Sequence, residues 1–106
     1  MAQAMTTEQA YTDSFSRFEE HVLRPFKRLR RNLWLARKHK AVVLPIQVGQ
    51  FLEYQAAAGQ QLDALRRLLS DKGTAKRLDD VRGKRKQLAT ARKLVARLAL
   101  GAKFIK

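Results

Sequence analysis

The sequence predicts an all-α protein, a small bundle of three to four helices forming a single domain over residues 1–106. Two observations support this fold class. Apolar residues recur at steps of three and four along most of the chain, and the one alternating, strand-like segment is short and contains a proline. With 45% apolar residues, a chain of 106 residues can form one modest core. It contains no cysteine, which excludes a disulfide scaffold, a cysteine-ligated zinc site and a thiol nucleophile.

The first helical pattern begins at Thr6 and Gln9, whose spacing is that of a capping box. Its apolar stripe consists of Tyr11, Phe15, Phe18, Val22, Phe26, Leu29, Leu33 and Ala36. Pro25 interrupts this pattern, yet the stripe keeps its phase across the proline. We therefore expect either a break or kink near 24–25 or a second helix with Pro25 in its first turn, with helix resuming to about Lys38.

Residues 41–48 are interpreted as a short apolar extended linker that packs on the core. Val42, Leu44 and Ile46 alternate as in a strand, but Pro45 lacks the N–H group that a sheet ladder requires. The alternative is a ribbon-helix-helix protein, in which this segment would pair with the same segment of a second copy.

The next helix is predicted from about Gln47 to Ser70. Its stripe consists of Phe51, Tyr54, Ala58, Leu62, Leu65 and Leu69. Gly59 lies inside this pattern, where a continuous helix would carry it at a cost of about 1 kcal/mol relative to alanine. The alternative is a helix-turn-helix with its break at Gly59 and a DNA-reading helix over 60–70.

A short helix is predicted from Thr74 to about Val81, because Asp71-Lys72-Gly73 is a stop-and-turn signal. The last helix is predicted from about Lys86 to Leu100, with Gly101 as its cap. Its stripe consists of Leu88, Ala91, Val95 and Leu98. Residues 1–5 are expected to be a flexible N-terminus and residues 101–106 a basic C-terminal tail.

Charge is segregated along the chain, whose net charge is +14. Residues 1–20 are acidic, residues 24–40 hold eight bases and no acid, and residues 72–106 hold twelve bases against two acids. Clustered charges of one sign repel one another, so two segregated basic blocks indicate a polyanionic partner.

Catalytic constellations are not evident. The two histidines, His21 and His39, are far apart and have no carboxylate pair at metal-ligand spacing, and no glycine-rich phosphate loop occurs. Glu19-Glu20 and Asp79-Asp80 are adjacent pairs, and adjacent residues do not face each other on a helix. We therefore expect no enzyme, no catalytic residue, no metal site and no cofactor.

The candidate nucleic-acid-binding residues lie in the two basic blocks. In the first block, the only tryptophan lies among cations at helical spacing, where its ring could stack on an unpaired base while the cations hold phosphates. The alternatives for this ring are packing in the bundle or a cation–π pair. The candidates are Lys27, Arg28, Arg30, Arg31, Trp34, Arg37 and Lys38 in the first block and Lys84, Arg85, Lys86, Lys93 and Arg97 in the second.

These features predict a small basic nucleic-acid-binding protein that contacts mainly the phosphate backbone, with DNA slightly favoured over RNA. The alternative is an assembly factor, such as a phage, plasmid or ribonucleoprotein accessory subunit, that docks its basic helices on an acidic protein. We expect no membrane span, because the longest apolar run is far shorter than the ~20 residues that a span needs. Peripheral membrane binding through Phe26, Trp34 and Leu35 is the third alternative, but their stripe continues into an acidic helix, which fits a bundle core better than an anionic lipid surface. An intracellular location, cytoplasmic or nucleoid-associated, is expected, and homodimerisation is left open.

Overall fold

The computed structural model describes residues 6–100, most of which are helical. In chain order the elements are α1 (Thr7–Phe18), a π-helical turn (Glu19–Leu23), α2 (Arg24–Lys38), α3 (Pro45–Ser70), the single turn α4 (Lys72–Ala75) and α5 (Val81–Ala99). Residues 6–100 contain no strand, so the all-α prediction is confirmed. The predicted flexible N-terminus, the cap at Gly101 and the basic tail lie outside the described residues.

The start of α1 is the predicted capping box. The hydroxyl of Thr6 accepts a hydrogen bond from the backbone N–H of Gln9 at 3.1 Å, and the Gln9 side chain accepts one from the Thr6 N–H at 3.0 Å. These two bonds satisfy N–H groups that have no partner within the helix.

The chain stays helical from residue 7 to residue 38, so the helix does not break at residues 24–25. The alternative prediction is confirmed, because α2 begins at Arg24 and has Pro25 in its first turn. The five residues before α2 form a π-helical turn, and the N–H of Arg24 donates to the carbonyl of Glu19, five residues back. Pro25 has no N–H to donate, and its ring would collide with the carbonyl four residues earlier in an ordinary α-helix. The wider turn directly before Pro25 accommodates the proline without ending the helix.

The predicted linker over 41–48 is wrong in its second half. Residues 41–44 have no regular structure, but α3 begins at Pro45. Pro45 stands in the first turn of the helix, where an N–H is not needed. The side-chain oxygen of Gln47 accepts a hydrogen bond from the N–H of Leu44 at 3.0 Å and so closes the helix start. Because 45–48 are helical, the strand that a ribbon-helix-helix protein requires is not formed.

Helix α3 is continuous through Gly59, so the helix-turn-helix alternative is also wrong. No glycine among residues 6–100 has a positive φ, and a Cβ placed on Gly59 would meet nothing within 4 Å. The glycine is therefore tolerated in an ordinary helix, and it marks neither a turn nor a close approach.

The last two helices differ from their predicted bounds. The short helix is one turn, α4, capped by the Asp71 carboxylate, which accepts from the N–H of Thr74 at 2.9 Å. Helix α5 begins at Val81, five residues before its predicted start. Asp80, whose φ of 47° is left-handed, caps α5 by accepting from the N–H of Gly83 at 3.1 Å.

The buried side chains form one cluster, which is built around α3. This helix packs against every other helical element, and the rings of Phe26 and Phe51 meet at its contact with α2, 4.9 Å apart between centroids. The buried residues are Tyr11, Phe15, Phe18, Val22, Leu23, Phe26, Leu33, Phe51, Ala58, Leu62, Leu65, Leu69, Leu78, Leu88, Ala91, Val95 and Leu98. All but Leu23 and Leu78 belong to the predicted stripes. The stripe of α3 is thus used within its own chain and is not an open surface for a second copy.

Helices α3 and α5 run antiparallel, and their ends do not coincide. Arg92 pairs with Asp63, and Arg85 reaches the carbonyl of Leu69, so residue numbers fall along α5 as they rise along α3. By this register the end of α5 lies beside residue 56 of α3. The first ten residues of α3 and the adjoining part of α2 therefore extend beyond α5 as a two-helix projection, in a molecule of 52 × 32 × 16 Å.

Candidate nucleic-acid interface

The first basic block forms an exposed surface on α2. Lys27, Arg31, Trp34 and Lys38 follow one another at steps of four, three and four, which places them along one side of the helix over about 16 Å. We call these four residues the α2 strip. All four are exposed. Since the core stripe occupies the opposite side of α2, the strip faces solvent over its whole length.

Trp34 lies in this strip and not in the core. Its side chain is 50% exposed, and the Nζ atom of Lys38 lies 5.1 Å from the centroid of its ring. The contact is a cation–π pair within one turn of helix. An exposed aromatic ring beside cations is the arrangement that a stacking residue needs.

The other predicted residues of α2 flank the strip. Arg28 and Arg37 are exposed on its two sides, whereas Arg30 is half-buried. The buried Nε atom of Arg30 has no hydrogen-bond partner among the described residues. Burial of this atom leaves the outer nitrogens of the guanidinium as the part of Arg30 nearest to solvent.

The second block is divided by the structure, and Lys84 is turned inward. Its ammonium donates to the carboxylate of Glu8 at 2.6 Å and to the carbonyl of Asp79, and it lies 5.5 Å from the ring centroid of Tyr11. The side chain of Lys84 is 12% exposed. Lys84 therefore joins α5 to α1 and does not contribute to an outer cationic surface.

The same contacts explain the acid–base behaviour of this corner. The hydrogen bond from Lys84 and the backbone N–H of Asp79 lower the pKa of Glu8 below its usual value of 4.5. Burial raises the pKa of Tyr11, whose hydroxyl has no hydrogen-bond partner among the described residues. Both effects belong to the packing of α1 on α5, so this corner of the molecule acts as a structural joint.

Three of the predicted binding residues of the second block remain on the outer side of α5. Lys86, Lys93 and Arg97 are exposed and lie within about 40° of one another around the helix. We call them the α5 ridge. Arg85, the fifth predicted residue of this block, leans instead toward α3, where its guanidinium lies 3.4 Å from the carbonyl oxygen of Leu69.

The acids of the protein do not neutralise either surface. The ion pairs within residues 6–100 join Arg17 to Asp13, Lys84 to Glu8 and Arg92 to Asp63. None of them includes a cation of the α2 strip or of the α5 ridge. Within residues 6–100, these cations therefore face solvent without an ion pair to a carboxylate.

Sequence reasoning missed a cleft between α3 and α5. It has a volume of about 400 Å³, and its lining includes Arg66, Arg85 and Arg92 above a floor of leucines. Arg66 and Arg92 were not candidates, because the two arginines come together only through the pairing of α3 with α5. The sequence shows how the arginines are spaced on each helix, but it does not show the register between the two helices.

The end of the two-helix projection carries exposed apolar side chains. Val42 is 84% exposed and Ile46 is 67% exposed, and Leu44 between them is also exposed. We call residues 42–46 the hairpin tip. It follows the basic residues Lys38 and Lys40 in the chain, so apolar and cationic groups are neighbours at this end of the molecule.

Neither a metal-binding cluster nor a membrane-spanning helix is present in the part of the chain that the structure describes. Residues 6–100 contain no group of three or more histidine, aspartate or glutamate side chains that could hold a metal ion. Among the same residues, no helix combines the length and the hydropathy needed to span a membrane.

No protein-family model matches the chain, and no curated protein or solved structure shows significant similarity to it.

Proposed function

We propose that this protein binds nucleic acid through the phosphate backbone, as an accessory or regulatory protein rather than an enzyme. One observation carries the proposal: the cations of the α2 strip and the α5 ridge are exposed and have no ion pair with the described carboxylates. Backbone phosphates are the biological partner that neutralises such a surface and releases counterions on binding. DNA is the first candidate, and the cytoplasm or nucleoid is the compartment that fits.

The two surfaces together predict a measurable salt dependence. They contain six cations, and neutralising about six phosphates gives a log–log slope near −5 on duplex DNA. Affinity would then fall by roughly 10³-fold between about 50 and 200 mM salt. The measurement is fluorescence anisotropy with labelled duplex DNA, single-stranded DNA and RNA at both salt concentrations.

Three matched variants locate the contact surface, since each removes two lysines and one arginine. The first carries K27Q, R31Q and K38Q, the second carries K86Q, K93Q and R97Q, and the control carries K72Q, K76Q and R77Q near α4. We expect each of the first two to lower the magnitude of the slope by about 2.7. The control residues are exposed but lie on neither surface, so its slope should stay near that of the wild type.

Equal losses in all three variants would contradict the proposal, because binding would then follow net charge alone. Affinity that is flat across salt would contradict it as well.

A second candidate function is docking on an acidic protein, and the hairpin tip is the observation that favours it. Val42 and Ile46 are exposed beside a cationic helix, which suits a partner surface with an apolar centre and an acidic rim. V42S with I46S removes the apolar part and keeps every charge. If a protein partner is the function, this double variant should lose the partner while its affinity for nucleic acid equals that of the wild type.

A further inference from the structure

The cleft between α3 and α5 combines cationic and apolar groups in one concave site. Its floor includes Leu62, Leu69 and Leu88, which are 2%, 2% and 7% exposed, and three arginines stand around it. The volume of about 400 Å³ lies in the range of sites for small organic molecules.

The arginines of the cleft retain donors for a ligand. Arg92 is paired with Asp63 at 2.5 Å, and Arg85 makes one long hydrogen bond of 3.4 Å to the carbonyl of Leu69. Arg66 forms no ion pair with a described carboxylate. Each guanidinium has five N–H donors in a planar fork that matches a phosphate group. The cleft thus offers phosphate-binding groups beside an apolar surface.

The cleft also borders the α5 ridge. Ala89, which lines the cleft, lies three residues after Lys86 and four residues before Lys93. Residues at these spacings are neighbours on a helix surface. A strand whose phosphates follow the ridge therefore passes the mouth of the cleft.

We propose that this cleft holds one unpaired nucleotide of a bound strand, with its phosphate on Arg66 and Arg85 and its base against the leucine floor. This inference rests on the proposed nucleic-acid binding and makes it more specific. A base inside a duplex is paired and stacked and cannot enter a cleft of this kind, whereas a base of a single strand can. The ligand is accordingly single-stranded nucleic acid.

The experiment compares a single-stranded oligonucleotide, its duplex and a fully abasic strand of the same length and charge. A89F fills the cleft without changing the charge, and Ala89 is exposed, so the fold has room for the larger side chain. A64F is the matched control, because Ala64 is exposed on α3 and does not line the cleft. Anisotropy gives the affinities, and circular dichroism verifies that each variant is helical.

We expect the wild type and A64F to bind the normal strand about tenfold more tightly than the abasic strand. A89F should bind both strands equally, at the affinity that the wild type has for the abasic strand. R66Q should lose more affinity for the normal strand than R67Q, which removes the same charge from the next, exposed residue outside the cleft.

Three other results would overturn the inference, and they can be told apart. If all proteins bind single strands with the slope of about −4 that six phosphate contacts give, but A89F still distinguishes the normal from the abasic strand, the cleft is not the base site and the proposed function stands. Loss of this discrimination in W34A instead would assign the base to Trp34. If no strand binds at low salt, the proposed function fails and the cleft inference fails with it.

Discussion

Replacing Gly59 by alanine is expected to stabilise the protein by about 1 kcal/mol. The residue lies inside α3, its φ is not positive, and an added Cβ would meet nothing within 4 Å. Alanine therefore adopts the native backbone without strain and restricts the unfolded chain, which is the main source of the gain. For a domain of about 100 residues, this gain raises the melting temperature by about 4–8 °C.

The assay is thermal and urea unfolding followed by circular dichroism at the helical band. Gly83→Ala is the comparison, since its Cβ would lie 2.7 Å from Cγ of Asp80 and closer still to one carboxylate oxygen. The carboxylate must then move and give up its cap on α5, which costs about 1 kcal/mol and offsets the gain from alanine. A loss of stability at Gly59 would refute a continuous α3, whereas equal gains at the two glycines would show that Asp80 keeps its cap on α5 when the Cβ is added.

The remaining expectations concern the core, the joint between α1 and α5, and the first cap. Phe51→Ala should lower the free energy of unfolding by about 3–5 kcal/mol, since the ring is 0% exposed; a urea midpoint close to that of the wild type would contradict the described core. The pKa of Glu8 is lowered in the folded protein. Its ionised carboxylate therefore stabilises the fold above the pKa of the unfolded state, and this stabilisation is lost as pH falls through the pKa of the folded state. Between about pH 6 and pH 3 the wild type should therefore lose more stability than Glu8→Gln, and parallel pH profiles would show that the contact to Lys84 is absent in solution. Thr6→Ala should cost about 1 kcal/mol by the same unfolding assay, whereas an unchanged midpoint would mean that α1 begins elsewhere.

The apolar periodicity was sufficient to predict the core of this fold. Phe18, Phe26 and Phe51 lie on stripes with helical spacing, and all three are fully buried. The local signals at helix ends were harder to interpret, because proline and glycine are compatible with more than one structure. A proline such as Pro45 is equally compatible with the first turn of a helix, where it lies, and with an extended linker. Gly83 follows a turn-like sequence, yet it is a helix residue whose N–H is capped by Asp80.

The candidate interface was predictable to the extent that it depends on one helix. Lys27, Arg31 and Lys38 are exposed together because helical spacing alone sets their common side. Lys84 could not be assigned in this way, since its partner Glu8 is 76 residues away in the chain. The arginine cleft depends on the register of α3 against α5, which is set by packing and is not visible in either segment alone.

The continuous helix over residues 7–38 has a consequence for how the molecule meets a charged object. The acids of this helix lie before residue 24 and its bases after residue 23, apart from Arg17, so opposite charges are separated along its length. This charge separation gives the helix a permanent dipole moment, and an external electric field exerts a torque on it. At an ionic strength of about 0.1 M the Debye length is roughly 10 Å, so the field of a polyanion reaches only the nearer end. The protein would therefore rotate within about the last nanometre of approach and arrive with α2 leading and α1 trailing.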